Sequence, residues 1–107
     1  YRVARLSLDD GQVANDGTGT ETVTAEIVDG LEVARGTDPT EATTLTESGT
    51  LTLSIDGAEV SVSISDGTGS KDMTTTKTAG STIDVQAIAY DGGPIDPDTI
   101  EIEVTQA

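Results

Sequence analysis

The 107-residue chain has no cysteine, no histidine, no phenylalanine and no tryptophan. Without cysteine there is no disulfide and no thiol chemistry, so redox usage says nothing about compartment. Without histidine and cysteine the best zinc ligands and the usual general base are missing, and Ser-His-Asp and Cys-His arrangements are excluded. The aromatics are Tyr1 and Tyr90 alone, which argues against a stacking platform for sugars. Cations are scarce as well: Arg2, Arg5, Arg35, Lys71 and Lys77 face 20 Asp and Glu residues, for a net charge of −15. Phosphate binding needs clustered Lys and Arg, which argues against nucleic acid as a partner. No apolar run is long enough to cross a membrane as a helix, so no membrane insertion is expected. The start at Tyr1 shows no positive n-region followed by an apolar h-region. The expectation is a chain without a signal peptide, either with a leader removed or as a fragment of a longer one.

What is present is a modest stock of aliphatics. Leu, Ile and Val make up 23 residues, about 21% of the chain, against the ~20% below which a highly charged chain is expected to be disordered. The length suits one domain, residues 1–107. Order is signalled by how the aliphatics are placed. Leu51, Leu53 and Ile55 alternate with Thr50, Thr52 and Ser54; Val60, Val62 and Ile64 alternate with Glu59, Ser61 and Ser63. Asp56-Gly57 lies between these runs, and a two-residue Asp-Gly loop suits a type I′ turn. The implied register pairs Ile55 with Ala58, Leu53 with Val60 and Leu51 with Val62, so every apolar side chain falls on one face. The same alternation runs through Ala4-Leu8, Val23-Ile27, Ile83-Ala89 and Ile100-Val104. Leu31-Val33 and the stretch around Met73 and Thr75 are shorter strand candidates. The expected fold is all-β, an Ig-like β-sandwich of about seven to nine antiparallel strands.

Six Asp-Gly pairs, ending at Gly11, Gly17, Gly30, Gly57, Gly67 and Gly92, punctuate the chain. Asp bonds its own turn and Gly supplies positive φ, so these are strand ends before they are sites. Residues 37–49 form a long irregular connection. Asp38-Pro39-Thr40-Glu41 has capping-box spacing with Pro at the first helical position, but Thr43 and Thr44 are poor helix formers. One helical turn and an extended Thr-rich connection both fit.

The acidity itself carries information. Self-repulsion at low salt destabilises a compact state, and halophiles use this lever; at molar salt the Debye length falls to ~3 Å and most of that repulsion is screened. Two lysines, small apolar residues and 19 threonines fit a protein made for brine.

Carboxylates in such excess invite two kinds of chemistry. Glycoside hydrolysis needs two carboxyls facing across a cleft, whereas these acids fall in turns and on outward strand faces. Calcium takes six to eight oxygens from carboxylates and carbonyls. The best candidate for it is Asp91, Asp96 and Asp98 around Gly92-Gly93-Pro94. Asp66 and Asp72, bracketing a Gly-rich loop, come second, and Asp9, Asp10, Asn15 and Asp16 form a third acidic loop. None matches the EF-hand pattern, and turns that favour Asp explain all three without a metal. No other cofactor is expected. A Lys–Asp crosslink would need Lys71 or Lys77 buried beside a carboxylate. Edge strands offer a further surface. The candidates are residues 2–8, with Arg2 and Arg5, and 99–105, with Glu101 and Glu103; these opposite charges would meet within the domain or between subunits.

Val13-Ala14-Asn15-Asp16-Gly17-Thr18, followed by Thr22-Val23-Thr24-Ala25 and Val28-Asp29-Gly30, resembles the opening of bacterial Ig-like domains of the invasin/intimin type. Thr78-Ala79-Gly80-Ser81-Thr82-Ile83-Asp84-Val85-Gln86-Ala87 resembles their Ala-Gly turn into a strand, and Thr99-Ile100-Glu101-Ile102-Glu103-Val104 looks like their final strand. The chain departs from them in lacking a central Val-Thr-Phe strand and in the length of 37–49. The resemblance implies a sandwich used as an extracellular spacer or display module, with no catalytic residues. Joined to the acidity, it leads to an expected non-enzymatic structural role on a virion capsid or tail surface, as a decoration protein of a haloarchaeal virus. The alternatives are a haloarchaeal cell-surface, adhesin or pilus-like subunit, or a ligand-binding Ig-like module. The expected partners are other structural proteins or copies of the chain itself.

Overall fold

In the computed structural model, which describes residues 2–96 and 98–107, the chain forms eight strands and one short helix. They run β1 Arg2–Leu8, β2 Gln12–Ala14, β3 Glu21–Asp29, α1 Gly30–Ala34, β4 Gly49–Ile55, β5 Ala58–Ile64, β6 Thr68–Met73, β7 Thr82–Tyr90 and β8 Thr99–Thr105. One sheet has the order β1-β3-β6, the other β2-β8-β7-β4-β5. The fold is an all-β sandwich of a three-stranded and a five-stranded sheet.

The alternating stripes meet between the sheets. Ile27, Leu51, Leu53, Val85 and Ile102 are fully buried, with Val23, Ile83 and Val104 almost so. Each such side chain contributes about 1.5–3 kcal/mol relative to exposure, and Tyr90 is the one aromatic among the described residues that joins them. The β4–β5 hairpin has the expected register, Ile55 opposite Ala58, Leu53 opposite Val60 and Leu51 opposite Val62. Its loop residues Asp56 and Gly57 have φ of 54° and 85°, as a type I′ turn requires. Two further Asp-Gly pairs make the same two-residue loop, Asp66-Gly67 between Ser65 and Thr68 and Asp91-Gly92 between Tyr90 and Gly93.

Three expectations are corrected. Leu31-Val33 is helical, not extended: the Asp29 side chain accepts the Leu31 N–H at 2.9 Å as an N-cap. Gly36 at φ 100° ends the helix, with Gly36 N–H on Val33 and Thr37 N–H on Glu32, a Schellman closure. Second, the strands are not all antiparallel, because β2 runs parallel to β8. The chain changes sheets through Asp9-Asp10-Gly11 without reversing, so the continuing strand lies alongside the last one. Third, neither expected edge is free: β8 lies between β2 and β7, and the outer edge of β1 is covered by Asp96 and Asp98, which bond Arg2, Ala4 and Leu6.

The connection at 37–49 begins with a single turn. Asp38 accepts the N–H and hydroxyl of Thr40, and its carbonyl accepts Glu41 and Ala42 N–H. The chain then returns along the end of β3, with Leu45 N–H on Ile27 and Asp29 N–H on Thr43. This excursion covers the outer face of β1 and β3, where Val3, Val28 and Ala42 form a second small core with Val33 against it.

Candidate functional site

The acidic loops are occupied by backbone. Asp91 Oδ1 accepts the Thr50 N–H at 2.7 Å and Asp98 Oδ2 accepts the Leu6 N–H at 3.0 Å. Asp96 is exposed and works through its main chain, which bonds Arg2 and Ala4. Three carboxylates that the sequence groups therefore serve three separate segments. In the second candidate pair Asp66 forms a hairpin turn, while Asp72 on the outer face of β6 accepts the Thr22 hydroxyl at 2.7 Å. The supposed Gly-rich loop between them is mostly strand, with Gly69 opposite Ala25. In the third loop Asp16 accepts Thr18 and Gly19 N–H at 3.0 and 2.9 Å. These bonds, Gly19's first, hold its carboxyl below the ordinary range. Asn15 accepts the Ala107 N–H. Among the described residues no three acids converge as a metal site.

The arginines pair differently from expectation. Arg2 bonds Glu47 at 2.6 Å, and Arg5 bonds Glu26 at 3.1 Å, rather than either reaching Glu101 or Glu103. Arg5 is a hub: it also donates to the carbonyls of Pro39 and Ala42 and to the Thr44 hydroxyl. It thereby fastens the 37–44 excursion to the sheet. The Arg5 bond, followed by the Thr44 hydroxyl, holds the Glu26 carboxyl below its ordinary value despite desolvation. Lys77 pairs with Asp56 at 2.7 Å in a half-exposed position, and Lys71 is exposed, so neither lysine is buried as a crosslink needs.

Two polar groups were missed by sequence reasoning. Glu21 is 1% exposed, the sole buried charged residue among those described. Its carboxylate accepts the N–H groups of Asp10, Gly11, Gln12 and Thr22, capping the loop by which the chain changes sheets. The signal was alternation, since Glu21 shares the phase of Val23, Ala25 and Ile27. Tyr90, 6% exposed, buries a hydroxyl that has no hydrogen-bond partner among the described residues. The Arg2 guanidinium lies 5.6 Å from its ring centroid. Burial, then the charges of Glu47 and Asp91, push the phenol upward. Tyr1 lies outside the described residues.

A surface depression lies where the sheets part between β5 and β6. It has a volume of about 180 Å³, an aliphatic floor of Ile55, Val60, Met73 and Ile83, and Lys71 and Asp56 at its rim. Ligand pockets for drug-sized molecules begin at about 300 Å³, so this slot suits a single side chain. A smaller hollow of about 130 Å³ lies among Arg2, Pro94, Ile95 and Asp96.

Comparison with family models, curated proteins and solved structures gives no match.

Proposed function

We propose that the domain is a non-enzymatic structural module displayed on an extracellular assembly in concentrated salt, on a virion surface before a cell-surface or pilus-like one. The observation that carries this reading is the disposition of its acids: of 20 carboxylates, Glu21 alone is buried, and the rest lie in turns and connections, in the short helix and on outward strand faces. Acids so placed keep the surface solvated in brine and cap the backbone, and they gather around no substrate. The invasin/intimin-like motifs at residues 13–30 and 78–87 support a display role. The −15 charge supports a saline setting, because screening removes the self-repulsion that a dilute buffer leaves.

Two measurements test the proposal. Melting followed by circular dichroism from 0.1 to 3 M KCl is expected to show loss of β-signal at the low end; full cooperative folding in dilute buffer would remove the halophilic part. Immunogold labelling of cells and virus particles from the source with antibody to the domain is expected to mark an outer surface. Label confined to the cell interior would overturn the display role.

A further inference from the structure

The two sheets are unequal. Three strands face five; β6 pairs with β3 along its length and closes onto Ser65 at Thr68, so the shortfall falls beside its open edge from Ser70 onward. A fourth strand placed there would lie opposite β5. Its absence leaves Val60 and Met73 only partly buried, while Ile55, Val62 and Ile64 nearby are 9% exposed or less. The slot is thus the side-chain space of a missing strand.

Lys71 gives that space a sign. It stands opposite Val23 in the β3–β6 register, and Val23 is 1% exposed. Directly opposed residues share a face, so Lys71 sits on the inward face of an edge strand, two residues from Met73. It forms no ion pair among the described residues, although the chain is crowded with acids. The nearby carboxylates are engaged elsewhere, Asp56 by Lys77 and Asp72 by Thr22.

We propose that the free edge of β6 receives an extended peptide strand of a partner protein, whose inward face carries an aliphatic side chain and a carboxylate two residues apart. The aliphatic group fills the slot over Val60 and Ile83, and the carboxylate pairs with Lys71. Backbone bonds to the edge supply affinity, and the slot and the lysine supply selectivity, as in other strand-addition complexes. Lys71, the one cation on β6 and next to Asp72, selects for a carboxylate at the one position opposite it rather than for a strand that is acidic throughout. This inference stands on the edge geometry and holds wherever the module is displayed. An inward lysine is also a known device for keeping edges unpaired, and the two roles predict opposite results.

The test uses the isotope-labelled domain at the lowest salt that keeps it folded. One probe is a blocked seven-residue peptide alternating threonine and valine, with one glutamate two positions from the central valine; the other has lysine in place of glutamate. Amide shifts are expected at residues 68–73 and 55–60, with the glutamate peptide about threefold tighter, in line with one cross-strand charge pair. Lys71→Glu should reverse the preference, and Met73→Asp should abolish binding of both while leaving the spectrum folded. Shifts elsewhere, no shifts, or equal affinities would overturn the proposal. So would a Lys71→Val variant that dimerises through β6 without binding peptide, which is the blocking role, or unaided dimerisation of the native domain through this edge.

Discussion

Glu21 and Gln12 lie 3.1 Å apart, the carboxylate of one accepting the backbone N–H of the other, at the point where the chain leaves one sheet for the other. Asp10 and Gly11 donate to the same carboxylate. A buried anion is costly unless hydrogen bonds replace its water, and here the backbone does so. Glu21→Gln keeps the shape but turns an amide NH₂ toward N–H groups. It is expected to cost about 2 kcal/mol, and Glu21→Ala about 3–4 kcal/mol. Urea unfolding in 3 M KCl measures both. Equal stability of the glutamine variant would show that charge is irrelevant to the cap.

Two Asp-Gly turns of one type should respond very differently to the same change. Gly57, at φ 85°, has open space where a Cβ would lie, so Gly57→Ala costs only the left-handed backbone, about 1–2 kcal/mol. Gly67, at φ 81°, would drive its Cβ into the Leu45 carbonyl oxygen and against Thr44. It also donates to Glu47 and accepts from Ile27. Gly67→Ala should cost more than about 3 kcal/mol through the added overlap, or prevent folding. Thermal melts of the pair decide it; equal losses would mean that the 37–49 connection yields freely.

How far these features are legible in sequence depends on how local their causes are. The β4–β5 register is local, because alternation and Asp56-Gly57 state it twice. The helix at 30–34 is also local, but its evidence lies in the Asp29 cap and the Gly36 stop rather than in Leu31 and Val33, which alternate as a strand would. Arg5 and Glu26 are not local: their pairing needs β1 beside β3 and the Thr44 segment folded back across both. The same holds for Asp91, Asp96 and Asp98, grouped by number but sent by topology to Thr50, to β1 and to Leu6. Lys71 enters the sequence reading only as a crosslink candidate, and its position opposite Val23 is hidden there, since β6 has almost no apolar alternation to announce its faces.

Arg5→Met keeps the aliphatic stem and removes the hub. Carbonyls of Pro39 and Ala42 lose a charged donor, and the expected loss is about 2 kcal/mol. It should be accompanied by faster hydrogen exchange at residues 37–44, and the Glu26 carboxyl should move up toward its ordinary value in an NMR titration. The sign follows from the direction of the shift. Glu26 has a lowered value when folded, so its stabilisation is complete above the unfolded value of about 4.3 and is lost as pH falls through the folded one. The variant should lose that acid dependence. An unmoved Glu26 titration would show that Arg5 is not its main partner.

Tyr90 inverts the usual expectation for a buried polar group. Its hydroxyl is desolvated without a partner among the described residues, so Tyr90→Phe removes an unmet cost and keeps the ring beneath Arg2. The variant should be as stable as the native domain or up to about 1 kcal/mol more so. Gly49→Ala presses on the same place, since its Cβ would stand 2.7 Å from the hydroxyl and from both Asp91 carboxylate oxygens; it should destabilise the native domain. The raised phenol value adds a pH signature. Folding favours the protonated form, so the contribution is complete below the unfolded value of about 10 and is lost as pH rises through the folded one. Denaturation midpoints from pH 8 to 11 should therefore fall in the native domain more than in Tyr90→Phe. A parallel decline in the two would place the alkaline sensitivity outside Tyr90.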